Sequence, residues 1–310
     1  MKSKDFLSVA DVSPEELRRL ISNALSVKSD RWNTVLSGKI LILLTEKPST
    51  RTRVSFDAGM TQLGGHCISL LPEEVGLGKR ESVPDVARVL SRFGNAIAAR
   101  TFSHHTLEIM AANADIPVIN ALSDLEHPCQ ALADIMTIAE RHEDVTGLTV
   151  TYVGDGNNTA HSLMLASVMM GMNFRAASPD GYGINEDILA KAREYTVFNG
   201  VEIVCVTDPR EAVAGTDVIY TDVWTSMGQE DEAQQRRKIF ADYQVDEKML
   251  GLANPGVLLM HPLPAHHGEE VAEGIIYAPQ SVVFDEAENR LHAQKALLAE
   301  MLGGLEILFS

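Results

Sequence analysis

The sequence predicts an α/β protein made of two doubly wound parallel-sheet domains, and three observations lead to this prediction. Short apolar runs such as residues 39–44 and 148–153 alternate with helical segments in both halves, which is typical of βαβ units. The alternation lapses in the polar stretch 141–147, where a domain boundary is expected. Polar residues directly follow several apolar runs, and parallel sheets bind ligands at those strand ends.

These patterns divide the chain into two domains and a final helix. We predict a first domain over residues 1–141 and a second domain over residues 142–284. A long final helix over residues 285–303 is expected to pack back on the first domain. The active site is expected between the two domains, because both contribute polar strand ends.

Composition restricts the class of protein. The 310 residues suffice for two cores, and 45% hydrophobic with 22% charged residues is ordinary globular composition. The net charge of −17 argues against nucleic-acid and anionic-membrane partners. The N-terminus has no signal-peptide core, no run reaches transmembrane length, and three widely spaced cysteines suit a reducing compartment. We therefore expect a cytoplasmic protein.

The first half predicts helices and strands in alternation. Ser13-Pro14 begins a helix, since Pro is favoured in the first turn, and residues 72–80 are expected to form a loop. Strands are expected at 39–44, 66–71, 96–100 and 117–120, and helices at 54–63, 82–93, around 107–110 and from 127 to about 141.

The second half repeats this alternation. Its last helix is predicted to run from residue 285 to about residue 302. Strands are expected at 148–153, 174–177, 201–206, 218–221 and 257–260, and a helix at 161–170 follows the turn 154–159.

The turn after the first strand is the most informative stretch. It reads Glu46-Lys47-Pro48-Ser49-Thr50-Arg51-Thr52-Arg53, and Ser49 or Thr50 can cap the following helix. Hydroxyl groups, cations and free helix N–H groups together favour a phosphate-like dianion. An ordinary capped helix with solvated basic residues is the alternative. Val54, Ala58 and Leu63 are expected to form the buried face of this helix.

Several stretches together resemble the aspartate/ornithine transcarbamoylase family. Ser49-Thr50-Arg51-Thr52-Arg53 looks like its carbamoyl-phosphate motif, and His127-Pro128-Cys129-Gln130-Ala131-Leu132-Ala133-Asp134 resembles the ornithine branch. Gly154-Asp155-Gly156-Asn157-Asn158 also resembles that branch. Asp222-Val223-Trp224-Thr225-Ser226-Met227-Gly228-Gln229-Glu230 is similar to its ornithine-binding loop. The resemblance covers nearly the whole chain, in the order and spacing of the family.

The resemblance implies the residues that bind each substrate. The residues implied for carbamoyl phosphate are Ser49, Thr50, Arg51, Thr52, Arg100, His127, Gln130, Pro262, Leu263 and Arg290. Among these, the implied catalytic residues are Arg51, Arg100, His127 and Arg290. The residues implied for ornithine are Asn158, Asp222, Ser226 and Met227.

The resemblance also implies the reaction. The side-chain amine of L-ornithine would attack carbamoyl phosphate through a tetrahedral intermediate, giving L-citrulline and phosphate. Neither a cofactor nor a metal is expected. The implied assembly is a homotrimer in which the 72–80 loop of a neighbour contributes to each active site.

Two departures leave the amine substrate open. The ornithine branch usually reads His-Cys-Leu-Pro, whereas this chain has His261-Pro262-Leu263-Pro264, which is closer to the aspartate branch. Gly76 stands where many ornithine enzymes have Gln, and Lys79 resembles the loop lysine of aspartate enzymes. Ornithine is still favoured, because Asp222 would repel the second carboxylate of aspartate. Putrescine and N-acylated ornithine remain alternatives.

Two rival functions come from other classes. Gly154-Asp155-Gly156 follows a strand and Asp180 lies 24 residues beyond Gly156, as in a dinucleotide-dependent oxidoreductase, but the third glycine is missing. A non-catalytic paralogue that binds carbamoyl phosphate is the other rival, supported only by Pro262. The pairs His104-His105 and His266-His267 are interpreted as surface residues, because adjacent side chains diverge.

Overall fold

The computed structural model describes residues 1, 3–29, 34–226 and 228–303 of the chain. The chain divides into two compact units: residues 1–136 with the chain from Glu288 onward, and residues 137–287. Each unit contains one sheet, and all the strand pairs of both sheets are parallel. The predicted fold class, two parallel-sheet α/β domains, is confirmed.

The first unit contains four strands and the helices that connect them. The strands are β1 (Ile40–Thr45), β2 (His66–Leu70), β3 (Ala96–Arg100) and β4 (Val118–Leu122), and the helices are α1 (Pro14–Ser29), α2 (Thr50–Gln62), α3 (Pro72–Val75), α4 (Val83–Leu90), α5 (His104–Asn113) and α6 (Pro128–Ala139). The sheet order is β2-β1-β3-β4. Since β1 lies between two neighbours, its residues 41–44 are buried, which explains their continuous apolar sequence.

The second unit contains five strands. They are β5 (Thr149–Val153), β6 (Asn173–Ala177), β7 (Ile203–Val206), β8 (Val218–Thr221) and β9 (Leu258–Met260), with helices α7 (Asn158–Met169), α8 (Glu186–Asn199), α9 (Pro209–Val213), α10 (Ala233–Ile239) and α11 (Glu247–Leu250). The sheet order is β7-β6-β5-β8-β9. The strand order reverses on either side of β5, and ligand crevices of doubly wound sheets form at such a point. The last helix, α12 (Val283–Met301), begins in this unit and belongs to the first unit from Glu288 onward.

Polar caps fix the helix starts that position the site. Ser49 precedes α2 and accepts the backbone N–H of Thr52, as predicted. Asn157 precedes α7 and its side-chain oxygen accepts the backbone N–H groups of Thr159 and Ala160. The predicted start of that helix at His161 was therefore late, since Asn157 satisfies the amides of an earlier turn.

Three local predictions were wrong. Val54 is 58% exposed, whereas Phe56 and Met60, one helical turn apart, form the buried face of α2. Residues 72–80 do not form a plain loop, because Pro72 and the carboxylate of Glu74, which accepts the N–H of Leu71, start the one-turn helix α3. Phe93 lies beyond the end of α4 and is 67% exposed.

The three cysteines are free thiols in different surroundings. Cys67 and Cys129 are buried free thiols and Cys205 is an exposed one. Burial raises the pKa of the Cys129 thiol to about 12, so this residue is a packing thiol and not a nucleophile. Across the described part of the chain, none of the helices combines the length and apolarity needed to cross a membrane.

Candidate functional site

The turn between β1 and α2 has the geometry of an anion receptor. The Ser49 hydroxyl accepts the Thr52 N–H at 3.3 Å and donates to Thr52 Oγ1 at 3.0 Å. Thr50 is exposed and Arg51 is half-buried at the first residues of α2. The helix N-terminus therefore presents its amides, hydroxyl groups and a guanidinium in one place, as the sequence predicted.

Arg290 reaches the same turn from the last helix. Its Nη2 donates to Thr52 Oγ1 at 2.9 Å. Arg290 is 3% exposed and Thr52 is fully buried, so the guanidinium is held in a low-dielectric environment where its charge acts strongly. The structure thus brings two predicted residues together that lie at opposite ends of the sequence.

The charges of three arginines act on His127. Burial first, and then the positive charges of Arg290, Arg100 and Arg51, hold the pKa of His127 well below its usual range. The imidazole is therefore neutral at neutral pH, and three cations act on one point of the first unit. That arrangement provides positive potential for an anionic ligand together with a neutral ring for hydrogen bonding.

Gln130 is fixed by a residue that the sequence analysis did not select. Its Nε2 donates to Oδ1 of Asp134 at 2.8 Å, one turn further along α6. Both side chains are buried, so this bond sets the direction of the Gln130 amide. The sequence could have predicted this bond, because an amide and an acid four positions apart on one helix are neighbours.

The second unit brings the predicted Asp222 beside the glycine-containing turn after β5. Asn157 Nδ2 donates to Asp222 Oδ2 at 3.0 Å, while Asn157 Oδ1 caps α7. Asp222 is nearly buried and Asn158 is half-buried as the first residue of α7. Asn157 was not among the predicted site residues, although its place between a strand and a helix marks it as a cap.

Three carboxylates give this region a negative potential. Burial, and then the charges of Asp222, Asp155 and Glu270, raise the pKa of Tyr152 well above its usual range. The carboxylates therefore lie close enough to act together on one buried phenol. A cluster of this kind favours a ligand that carries a positive charge.

The loop after Asp222 is described in part. Ser226 is half-buried and its N–H donates to the side-chain oxygen of Gln229 at 3.1 Å. Trp224 is buried and stacks on Phe240 with ring centroids 5.9 Å apart, which confirms its interpretation as a core residue. The predicted site residue Met227 lies outside the described residues.

His261 and its neighbours form a fixed arrangement. The Leu263 N–H donates to His261 Nδ1 at 2.9 Å, so Nε2 carries the proton and faces Glu270 Oε1 at 3.1 Å. Leu263 has a φ of +57°, a left-handed conformation that a branched residue adopts only when its surroundings fix it. Pro262 is buried beside it. Both residues belong to the second unit, and their part in binding carbamoyl phosphate stays a prediction.

The histidine pairs differ in their surroundings. His105 and His266 are exposed as predicted, whereas His104 is half-buried with Nδ1 2.8 Å from the Ser123 hydroxyl. His266 lies beside Glu269 and Glu270, with one ligand atom of each within 4.8 Å of the others. Glu269 pairs with Arg237 at 2.9 Å and Glu270 faces Nε2 of His261 at 3.1 Å, so both carboxylates already have partners within the protein.

Gly156, in the turn after β5, serves chain packing. A Cβ on Gly156 would lie 2.4 Å from the carbonyl carbon of Gly183, so this glycine allows two backbone segments to approach each other. In a dinucleotide fingerprint the equivalent glycine leaves room for a pyrophosphate. The packing role of Gly156 therefore removes the main support for the oxidoreductase alternative.

Comparisons with known proteins cover nearly the whole chain. The family model of the carbamoyl-P binding domain of aspartate/ornithine carbamoyltransferase matches residues 4–140, and the model of its Asp/Orn binding domain matches residues 146–301. The chain is 50% identical over 306 residues to ornithine carbamoyltransferase from Anoxybacillus flavithermus, covering 97% of this chain and 98% of that protein. It is 48% identical over 312 residues to the enzyme of that name from Pyrococcus abyssi, covering 99% and 98%.

A solved structure agrees with these sequences. The ornithine carbamoyltransferase from Pyrococcus furiosus is 47% identical and superposes with a TM-score of 0.93, covering 97% of each chain. The agreement extends over both sheets, since the covered share is nearly complete.

Proposed function

The chain belongs to the aspartate/ornithine carbamoyltransferase family, and we propose that it transfers the carbamoyl group of carbamoyl phosphate to the side-chain amine of L-ornithine. The products are L-citrulline and phosphate. One observation carries the proposal: the two units offer sites of opposite charge. Arginines act on His127 in the first unit, and three carboxylates act on Tyr152 in the second. An anionic carbamoyl donor suits the first site, and a cationic amino acid suits the second.

The first unit binds carbamoyl phosphate in this proposal, and we assign residues 1–141 to that domain. Ser49, Thr50, Arg51 and Thr52 hold the phosphate, because the capped start of α2 directs amides and hydroxyl groups at it. Arg100, His127, Gln130 and Arg290 hold the carbamoyl group, with Pro262 and Leu263 as further contacts. Asp134 orients the amide of Gln130.

The second unit binds ornithine, and we assign residues 142–284 to that domain. Asp222 takes the α-ammonium group, because Asn157 already fixes one of its carboxylate oxygens. Asn158, Ser226 and Met227 bind the remainder of the amino acid.

The chemistry requires an amine, an activated carbonyl and a leaving phosphate. The neutral side-chain amine attacks the carbonyl carbon and a tetrahedral intermediate forms. The C–O bond to phosphate then breaks, and the proton lost by the attacking nitrogen leaves with the phosphate. Arg51, Arg100 and Arg290 offset the negative charge on the carbonyl oxygen and phosphate, and neutral His127 supplies a hydrogen bond. Alignment of the two substrates contributes as well, up to roughly 7–11 kcal/mol in favourable model systems.

We propose a homotrimer in which a neighbour's loop 72–80 contributes to each site. In the first unit Leu71, Leu77 and Phe102 line one cleft with Lys79, and Leu71 and Phe102 are exposed large apolar residues. Exposed apolar surface of this kind is typical of protein interfaces. A cytoplasmic location fits the free thiols of Cys67, Cys129 and Cys205.

The test is product formation from carbamoyl phosphate with ornithine, aspartate, putrescine and N-acetylornithine in parallel. Citrulline as the dominant product is expected. Greater activity with aspartate would overturn the ornithine assignment, and that alternative is supported by the His261-Pro262-Leu263-Pro264 sequence and by Lys79. Binding of carbamoyl phosphate without turnover of any amine would instead identify a non-catalytic paralogue.

A further inference from the structure

We propose that Arg236 is a positioning residue for the amine substrate, and that its guanidinium holds the turn 154–158 and the segment 222–226 in register with each other. The inference rests on the proposed function, since both segments carry residues assigned to ornithine. Arg236 itself is assigned no contact with a substrate.

Arg236 joins separate segments of the second unit. Its Nη1 donates to Oδ2 of Asp155 at 2.8 Å and to the backbone oxygen of Trp224 at 2.9 Å. Its Nε donates to Oε2 of Glu232 at 3.0 Å. The guanidinium carbon lies 5.0 Å from the ring centroid of Tyr182, a cation–π distance. The side chain is only 7% exposed and that of Asp155 is 12% exposed, so their bond is shielded from water.

The joined segments are the ones that carry the ornithine residues. Asp155 lies three positions before Asn158, and Trp224 lies midway between Asp222 and Ser226. A second bridge, Asn157 to Asp222, connects the same two segments. Two independent bridges fix both the distance and the rotation of one segment relative to the other, which a substrate held by both segments requires.

Arg236 also gives the neighbouring acids Asp155 and Asp222 different partners. Asp155 and Asp222 are close enough that the charge of Asp222 raises the pKa of Asp155, after the larger effect of burial, while Arg236 lowers it. Arg236 bonds Asp155 directly, whereas the carboxylate of Asp222 accepts from the neutral amide of Asn157. Asp155 therefore has a cationic partner within the protein, whereas the hydrogen bonds to Asp222 from Asn157 and Val223 come from neutral amides, so Asp222 is the acid better placed to pair with a substrate ammonium group.

The test compares substitutions at adjacent positions of α10. Arg236→Gln removes both the charge and the planar guanidinium with its several N–H donors. Arg236→Lys keeps the charge without the guanidinium. Arg237→Gln is the matched control. Arg237 is exposed and pairs with Glu269. Each variant is assayed for the KM of ornithine and for the dissociation constant of carbamoyl phosphate, and its fold is checked by thermal unfolding.

We expect Arg236→Gln to raise the KM of ornithine about tenfold or more, since the three hydrogen bonds of the charged guanidinium are lost. The dissociation constant of carbamoyl phosphate is expected to change less than about twofold, because the first unit is untouched. Arg236→Lys should lie between wild type and Arg236→Gln, and Arg237→Gln should match wild type. The double variant Asp155→Asn with Arg236→Gln should recover part of the ornithine affinity, because it removes the buried unpaired carboxylate.

Specific results would overturn the inference. A folded Arg236→Gln enzyme with a wild-type KM for ornithine would do so. Equal weakening of both substrates in Arg236→Gln would also do so, because it indicates a general structural effect. If Arg236→Gln does not fold, Arg236→Lys decides, and an unchanged KM for ornithine in that variant overturns the proposal. Failure of the wild-type enzyme to carbamoylate ornithine would overturn the proposed function, and the two failures are therefore distinguishable.

Discussion

Arg290 donates a hydrogen bond to the hydroxyl of Thr52 at 2.9 Å, although 238 positions separate the two residues. The same hydroxyl oxygen accepts from Ser49 at 3.0 Å. Thr52 therefore uses its acceptor capacity to hold a distant guanidinium against the capped start of α2. Through this contact the final helix brings Arg290 to the turn that we propose as the phosphate-binding site.

Replacement of Thr52 by Val should disrupt this arrangement with little change of shape. The loss of a hydrogen bond to a charged group costs about 1.5–3 kcal/mol, so kcat/KM for carbamoyl phosphate should fall about 10- to 150-fold. Steady-state kinetics with ornithine saturating measures the change. Thr52→Ser retains the hydroxyl and should remain within a few-fold of wild type, as judged by hydrogen-bond retention. Equal kinetics for Thr52→Val and wild type would contradict the assigned role.

Replacement of Asp222 by Asn should weaken the binding of ornithine selectively. The change removes a charge and preserves the shape, so the KM of ornithine should rise about tenfold or more. Binding of carbamoyl phosphate, measured by isothermal titration calorimetry, should stay at the wild-type level. Asp242→Asn is the matched control, because Asp242 is an exposed acid in the same unit. A rise in the KM of ornithine in both variants would indicate a loss of general negative potential and not of a specific anchor.

Local signals explain why the strand, the cap and the helix around the first candidate site were predictable. The N-cap Ser49, the apolar strand β1 and the basic residues of the turn are adjacent in sequence. Ser is a favoured N-cap, and a short apolar run favours a buried strand, so each of these elements could be predicted locally. Val54 was placed wrongly because its spacing with Ala58 also suits a helix face. The packing of Phe56 and Met60 decided which face is buried, and spacing alone does not rank two apolar faces.

The residues that sequence reasoning missed depend on partners far along the chain. Arg236 bonds Asp155, 81 positions earlier, and the charge of Glu270 acts on Tyr152, more than 100 positions earlier in the chain. In the sequence, Arg236 stands beside Arg237 and Lys238, where a solvated basic face is the ordinary expectation. Burial of one member of such a run is a tertiary property, so composition and periodicity do not reveal it.

Gly156 provides a test of the packing interpretation. Gly156→Ala should lower the free energy of unfolding by about 1–3 kcal/mol, because its Cβ would meet backbone atoms and not a flexible side chain. Gly183→Ala is the control, since a Cβ at Gly183 would have nothing within 4 Å. Chemical denaturation of both variants measures the difference. An equal loss of stability in the two variants would show that close approach of the backbone is not the cause.

The pKa of His127 leads to a prediction about pH. Burial and three arginines hold this pKa well below its usual range, whereas in the unfolded chain it is near 6.5. As the pH falls below that value, the unfolded chain takes up a proton that the folded protein does not. The free energy of unfolding should therefore decrease on acidification, with a slope from this group that approaches about 1.4 kcal/mol per pH unit.

Urea unfolding of wild type and His127→Gln at pH 7.5, 6.5 and 5.5 measures this contribution. His127→Gln removes the titrating group and keeps a polar side chain, so its stability should decline less steeply with falling pH. The free energy of unfolding of wild type minus that of His127→Gln should thus decrease as the pH is lowered through 6.5 and below. Plots of the free energy of unfolding against pH that stay parallel for the two proteins would mean that His127 takes up its proton in the folded protein as well. The arginines would then not keep it neutral.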